Sequence, residues 1–388
     1  MRKYCVLTIL VFFFLSNIQI KAQFASQFII LVADSIGYGF YQDENVSYQD
    51  HLVGDVVEAN RYISSANILA EMRIFSHGIR PVTRIGERAF QNCLNLKHLN
   101  IPAPLITIEM HAFLNCLRLD TIRLPETRTL KTIGANAFQD CQALTYINIP
   151  IGVKTFGRAA FFNCHSLPRI DIPYTVEEIG DYAFARCRSL KSAVISTNVY
   201  KLGDGAFQCC NGLESVELAS KRGFSILPET FDSCTSLKRV IMTYDKIYRI
   251  DSCAFRGCKN LTQITLPASL IHAIGPSAFE GCAALDTVTA LVEQPLAFGA
   301  DAFKGISPTC VLMVPYGRRA AYIAAGWTEE IFKGGVKEII PAGISQVKVS
   351  ADAKEVGCYE LQGRRIQTPK KGLNIIRYND GTTRKVMK

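Results

Sequence analysis

Between residues 85 and 315 the chain repeats one arrangement of apolar and polar positions ten times, roughly I-G-x-x-A-F-x-x-C-x-x-L-x-x-I-x-I-P. Its phenylalanines, Phe90, Phe113, Phe138, Phe161, Phe184, Phe207, Phe231, Phe255, Phe279 and Phe303, stand 23 to 25 residues apart. Stretches such as Leu96, Leu99 and Ile101, or Leu144, Ile147 and Ile149, end in alternating apolar and polar residues. That alternation predicts a short strand with Leu and Ile pointing inward. Proline follows in five units, at Pro102, Pro125, Pro150, Pro173 and Pro267; lacking the N–H a ladder needs, it ends the strand where the chain turns. A further apolar pair, such as Val176 and Ile179, predicts a second extended stretch. In A-F-x-x-C-x-x-L the Phe, Cys and Leu are three apart, the spacing of one face of a helical turn.

A unit this short buries its apolar side only against its neighbours, so a fixed period of this length predicts a solenoid. Parallel pairing of successive strands stacks equivalent residues into columns. The Phe column is the widest filler of the interior. Of fourteen cysteines, nine share one repeat position: Cys93, Cys116, Cys141, Cys164, Cys187, Cys210, Cys234, Cys258 and Cys282. Disulfides are the first thought for an exported chain. However, side chains stacked in a column point the same way, and an odd number cannot all pair. Zinc wants C-x2-C pairs or nearby histidine, which Cys209–Cys210 and Cys253/Cys258 do not supply. The column therefore reads as buried thiols acting as small hydrophobes.

The phrases Val82 to Pro102 and Val176 to Leu190 resemble the repeat of the BspA-like leucine-rich repeat family of bacterial surface and secreted proteins. The resemblance implies a leucine-rich repeat solenoid: a right-handed α/β horseshoe, β-rich with short helical turns, with a parallel sheet on one face. It also implies adhesion to host or neighbouring-cell components. The seventh unit departs from the phrase at Leu227, Pro228 and Thr230, and the tenth loses its Cys at Gly305-Ile306. The expected organisation is a signal peptide over 1–22, a divergent N-terminal capping region over 23–81, ten repeats over 82–315, a C-terminal cap over 316–340, and a small β-rich module over 341–388. Leu69, Met72 and Ile74 fit the strand phrase and place the first coil before the recognisable repeats. In the last module Tyr359 to Arg364 and Lys370 to Leu373 resemble a type IX secretion sorting domain, which implies a contact with export machinery. A β module serving only packing or attachment is the other reading.

Arg2 and Lys3 precede the apolar run Val6 to Leu15, with Ala22 before Gln23, the layout of a secretory signal. The run is too short to span a membrane, and no other segment reaches the roughly 20 apolar residues a span needs. The protein is expected to be secreted or at the cell surface. Arg2, Lys3 and Lys21 carry three of the nine net positive charges, and residues 348–388 carry the other six, ten basic against four acidic, so the body is neutral. That weighs against a nucleic-acid partner, which would want a basic stripe along the main body, and none is expected.

Chemistry is absent from the pattern. The six histidines lack ligand spacing, and no G-x-S-x-G, Walker loop or H-E-x-x-H occurs. His165 beside Cys164 is not a nucleophile pair, because neighbours in a tight turn point apart. Gly37-Tyr38-Gly39 is too short for a phosphate loop, and Asn45-Val46-Ser47 is a sequon only where that glycosylation exists. No enzyme, cofactor or metal is expected. The outward strand positions remain: His98, Thr121, Tyr146, Arg169, Ser192, Ser215, Arg239, Gln263 and Thr287 in one column, and Asn100, Arg123, Asn148, Asp171, Val194, Glu217, Ile241, Thr265 and Thr289 in the next. Tyr and Arg dominate binding hot spots, so Arg123, Tyr146, Arg169 and Arg239 are the candidate residues. The expected partner is an extracellular or host macromolecule, a protein rather than a glycan. The alternative is a structural spacer or envelope component without a specific ligand.

Overall fold

A computed structural model describes residues 22–25, 28–33, 36–42, 52–59, 62–68, 71–74, 78–101, 104–340, 354–360, 364–379 and 383–387. The signal-like run, the Asn45 sequon, Leu69 and Pro102 lie outside the described residues. Gly37 to Gly39 falls inside the strand Ile36–Gln42.

Parallel strands one turn apart build two sheets on different sides of the coil. The first joins Ser65–Asn67, His98–Asn100, Thr121–Arg123 and Tyr146–Ile147, resumes over Ser192–Ile195, Ser215–Leu218 and Arg239–Met242, and ends over Gln263–Leu266, Thr287–Ala290, Val311–Pro315 and Val336–Ile339. The second is built from two-residue strands, Thr107–Ile108, Thr132–Ile133, Thr155–Phe156, Glu178–Ile179 and Lys201–Leu202. It is led by an antiparallel meander, Ala22–Ala25 to Leu52–Ala59, that joins it through Gly78–Ile85. The first coil does begin before the repeats, but its sheet strand is Ser65–Asn67, paired with His98–Asn100. Met72 and Ile74 instead form a hairpin with Gly78–Ile85; alternation reads the same in either setting.

The A-F-x-x-C segment is not helical, and Arg319–Ala324 in the C-terminal cap is the only α-helix among the described residues. Alternate amides close turns within the unit, as in Ala89 N–H to Gly86 O, Gln91 N–H to Arg88 O and Cys93 N–H to Phe90 O. The amides between them donate forward to the next unit, Arg88 to Met110 O, Phe90 to Ala112 O and Asn92 to Leu114 O. The same three forward bonds recur at every interface, down to Ser277, Phe279 and Gly281 donating to Ala300, Ala302 and Lys304. A helix uses all its amides internally; here half are turned out along the axis, and doing so requires left-handed residues. Two stand in each unit, one two places before Phe (Arg88, His111, Asn136 through Asp301) and one before the Cys position (Asn92, Asn115, Asp140 through Gly305). The second place favours Asn, Asp and Gly, which adopt this conformation at least cost. The glycine of I-G has a different cause, since a Cβ at Gly157 would lie 2.4 Å from Ala135 N of the preceding unit.

These bonds hold the interior columns in place. The Phe rings stack at centroid spacings from 5.0 to 5.6 Å, and nine of the ten are wholly buried. The column ends under Trp327 and Phe332, 5.4 and 5.2 Å from Phe303. Tyr322 Oη and Trp327 Nε1 donate to Val292 O and Leu296 O, fixing this cap. Glu355–Glu360, Arg365–Ile366, Leu373–Tyr378 and Thr383–Met387 form a four-stranded antiparallel module with its own small core of Cys358, Ile376 and Tyr378. There Glu360 accepts from Arg364 and Lys370, at 2.7 and 3.1 Å, so residues from both halves of the sorting-like motif meet. Those two cations, Arg364 first, hold the Glu360 carboxyl at about 2.

A candidate binding face on the first sheet

The strands of the first sheet turn their central apolar residue inward, buried in all but Arg239–Met242, where Val240 is half-buried, and present the flanking ones. Thr121 pairs with His98 and Tyr146, Ser215 with Ser192 and Arg239, and Thr287 with Gln263, so the outward residues lie in columns. Arg123 and Tyr146 meet: the guanidinium carbon sits 5.5 Å from the ring centroid, and Tyr146 remains 45% exposed. A cation over an aromatic face is attracted by the ring quadrupole, so the pair presents a flat, preorganised surface. Asn148, next in the same column as Arg123, turns to its own scaffold, exchanging hydrogen bonds with Leu124 N and O at 2.7 and 2.8 Å.

Arg169 does not sit in a ladder. Residues 168–173 form no strand, and the sheet is interrupted between Tyr146–Ile147 and Ser192–Ile195. The cause is Pro168. At its place in other units Thr145, Lys191, Glu214 and Lys238 donate their N–H to the preceding coil, and proline has none. The alternation survives, with Ile170 buried and Arg169 outside, where its Nε pairs with Asp171 Oδ1 at 2.7 Å. Arg239 lies apart from these three, in an open hollow of about 580 Å³ lined by Lys191, Ser192, Glu214, Ser215, Lys238 and Thr262. Lys238 lies 3.0 Å from Glu214 and lowers its carboxyl pKa. The four candidates thus divide into the Arg123–Tyr146 pair, a neighbouring Arg169, and a distant basic hollow. Val194 and Ile241 add exposed aliphatic area beside that hollow.

The nine repeat cysteines are buried, and no disulfide joins any described cysteine. The thiols are more than small hydrophobes. From Cys116 to Cys282 each Sγ–H donates to the Phe carbonyl one unit back, at 3.0 to 3.2 Å, as Cys187 does to Phe161 O. Burial raises the pKa of Cys164, Cys210, Cys234 and Cys258 and pushes that of Cys282 up to about 12; for Cys116 the Cys141 hydrogen bond contributes first and burial second. Cys164 is therefore directed at Phe138 O, and burial followed by Arg188 lowers the pKa of His165. Among the described residues no three or more His, Cys, Asp or Glu side chains are arranged so that they could hold a metal ion.

Sequence reasoning missed the side chains beside the second sheet. Arg222 stacks over Tyr200 at 4.7 Å, Tyr200 Oη donates to Glu178, and Lys154 holds Glu177 at 2.6 Å. The signal was present in the column Lys131, Lys154, Glu177, Tyr200 just before the short strands.

The coil of parallel strands with an apolar interior and variable outward columns defines a leucine-rich repeat solenoid. The family model for the BspA type leucine-rich repeat region matches in six copies over residues 83–214 and 224–315, and the chain belongs to that family of bacterial cell-surface proteins. Among solved structures, a leucine-rich repeat protein from Bacteroides ovatus is 22% identical, with 80% of this chain and 99% of that one covered at a TM-score of 0.35. A leucine-rich cell surface protein from Faecalibacterium prausnitzii is 20% identical over 76% and 97%, at 0.34. The T. pallidum leucine-rich repeat protein is 21% identical over 57% and 86%, at 0.39. A search of curated proteins gave no match. No described helix is long and apolar enough to cross a membrane.

Proposed function

We propose that this chain is an exported, non-enzymatic surface protein that binds a partner protein outside the cell through the first sheet. The observation that carries this reading is the Arg123–Tyr146 pair, an exposed stacked cation and ring fixed on a parallel ladder. Tyrosine and arginine supply large contact area with directional bonding and recur as hot spots. Arg169 extends the patch, and Arg239 with its hollow offers a second contact along the same sheet. The signal-like amino terminus supports export, and the carboxy-terminal module supports engagement with sorting machinery.

The test is retention of the secreted protein on immobilised extracellular matrix proteins and glycans. Retention on a protein is expected, with a loss of about tenfold or more for Arg123→Ala/Tyr146→Ala, as for hot-spot residues. Unchanged retention would exclude this patch. Wild-type protein that passes over every surface would favour the spacer reading.

A further inference from the structure

The forward ladder of the turn layer has a last rung that no described residue fills. In each of the first nine units three alternate amides donate to the following unit. In the tenth unit the equivalent amides are those of Asp301, Phe303 and Gly305. Asp301 and Gly305 keep the left-handed conformation, at φ 58° and 71°, that aims such N–H groups outward. No acceptor among the described residues meets them, although Ala302 and Lys304 between them close their usual internal turns. The cap covers the Phe column beside them without supplying a carbonyl. What remains is a groove of about 440 Å³ bordered by Phe298, Phe303, Ile306, Pro308 and Ile331, with charges of both signs at its rim.

We propose that this terminal groove binds an extended peptide segment of a partner protein, which adds one more rung to the turn layer. The preceding interfaces show what such donors accept: three carbonyls on alternate residues, the middle one belonging to alanine in eight cases and to Thr230 in the other. An unpaired row of backbone donors is a template for strand addition, in which main-chain bonds give affinity and side-chain room gives selectivity. The room here is small, since the corresponding Ala302 is itself buried. Asp301, Lys304, Glu330 and Lys333 leave no excess of either sign, so the peptide is selected by shape. A compact anion does not fit the arrangement, because each donor in the ladder serves a separate carbonyl rather than a shared point.

The full-length protein and a capped peptide copying Gly275–Gly281, with alanine at the Phe279 place, test this by hydrogen exchange. In the free protein the amides of Asp301, Phe303 and Gly305 are expected to exchange at least about 100-fold faster than those of Ser277, Phe279 and Gly281, which are bonded. Peptide is expected to slow the three amides together. Isoleucine at the Ala278 place of the peptide, or Ile331→Trp in the protein, is expected to weaken binding about tenfold or more, a difference of about 1.4 kcal/mol. Arg123→Ala is expected to leave peptide binding unchanged, which keeps this site separate from the sheet face. Three amides already slow in the free protein, no slowing up to about 1 mM peptide, or equal binding of the isoleucine peptide would overturn the proposal.

Discussion

The turn layer and the first sheet belong to the same units, yet one is uniform and the other is not. On the turn side every interface carries the same three forward bonds, the same stacked ring and, over most of its length, a thiol bonded to the previous carbonyl. On the sheet side the ladder lapses at Pro168, and outward residues range from Tyr146 to Ser215 to Arg239. The lapse leaves Ile170 buried all the same, because the units are already registered by their turns. Uniform and variable positions are thereby placed on different sides, and the sheet is free to change without loosening the coil.

The largest effect expected from this contrast is at high pH. Thiols of an unfolded chain ionise near pH 8.5, whereas burial, joined at Cys116 by the Cys141 bond, keeps Cys116, Cys164, Cys210, Cys234, Cys258 and Cys282 protonated beyond that. Above pH 8.5 the unfolded state therefore binds fewer protons, and stability falls as pH rises, by about 1.4 kcal/mol per thiol per pH unit. The loss continues toward the folded-state values, about 12 for Cys282. Denaturant titrations at pH 8, 9 and 10 check this, and a flat profile would contradict the buried column. Next is Phe184→Ala, which removes a ring packed 5.3 and 5.2 Å from Phe161 and Phe207 and 5.5 Å from the edge-on Phe156. It should cost roughly 3–5 kcal/mol in chemical denaturation. Pro168→Lys sharpens the comparison from the sheet side: the new amide should become protected in hydrogen exchange as the ladder closes. Its stability should change by less than about 1 kcal/mol, since a net bond of about 0.5–1.5 kcal/mol offsets the lost rigidity of proline. Smallest of all, Arg123→Ala/Tyr146→Ala should shift stability by no more than about 0.5 kcal/mol. A larger shift would mean that the face is part of the scaffold after all.

The period of 23 to 25 residues made the columns readable, down to pairs such as Thr121 with Tyr146 and Ser215 with Arg239. The turn layer was less legible because its first left-handed place holds Arg88, His111, Ala159 and Tyr182, which announce no such conformation. Its second place, from Asn92 to Gly305, did carry the signal, but the three-residue spacing of Phe and Cys also fits a helical turn. Spacing alone does not separate a helix from successive turns when both bury the same face. The break at Arg169 was readable from Pro168, whose missing N–H falls where the strand begins. The division of the four face residues was not, since clustering depends on side-chain reach: Arg123 leans to Tyr146, whereas Asn148 folds back onto Leu124.

The forward ladder also makes the number of units adjustable. Each bond is specified by its place in the phrase rather than by its partner's identity, so excising residues 159–181 would leave Asn136 facing Arg158 O as now, with Phe138 and Asp140 facing the carbonyls of Ala183 and Ala185 in place of those of Ala160 and Phe162. Such a deletion would also remove Pro168 and bring the strand at Tyr146 beside that at Ser192. Length can therefore change in steps of about 4.8 Å, one strand spacing, with both ends of the molecule intact. The reach of the protein is a copy number, open to recombination between its own repeats.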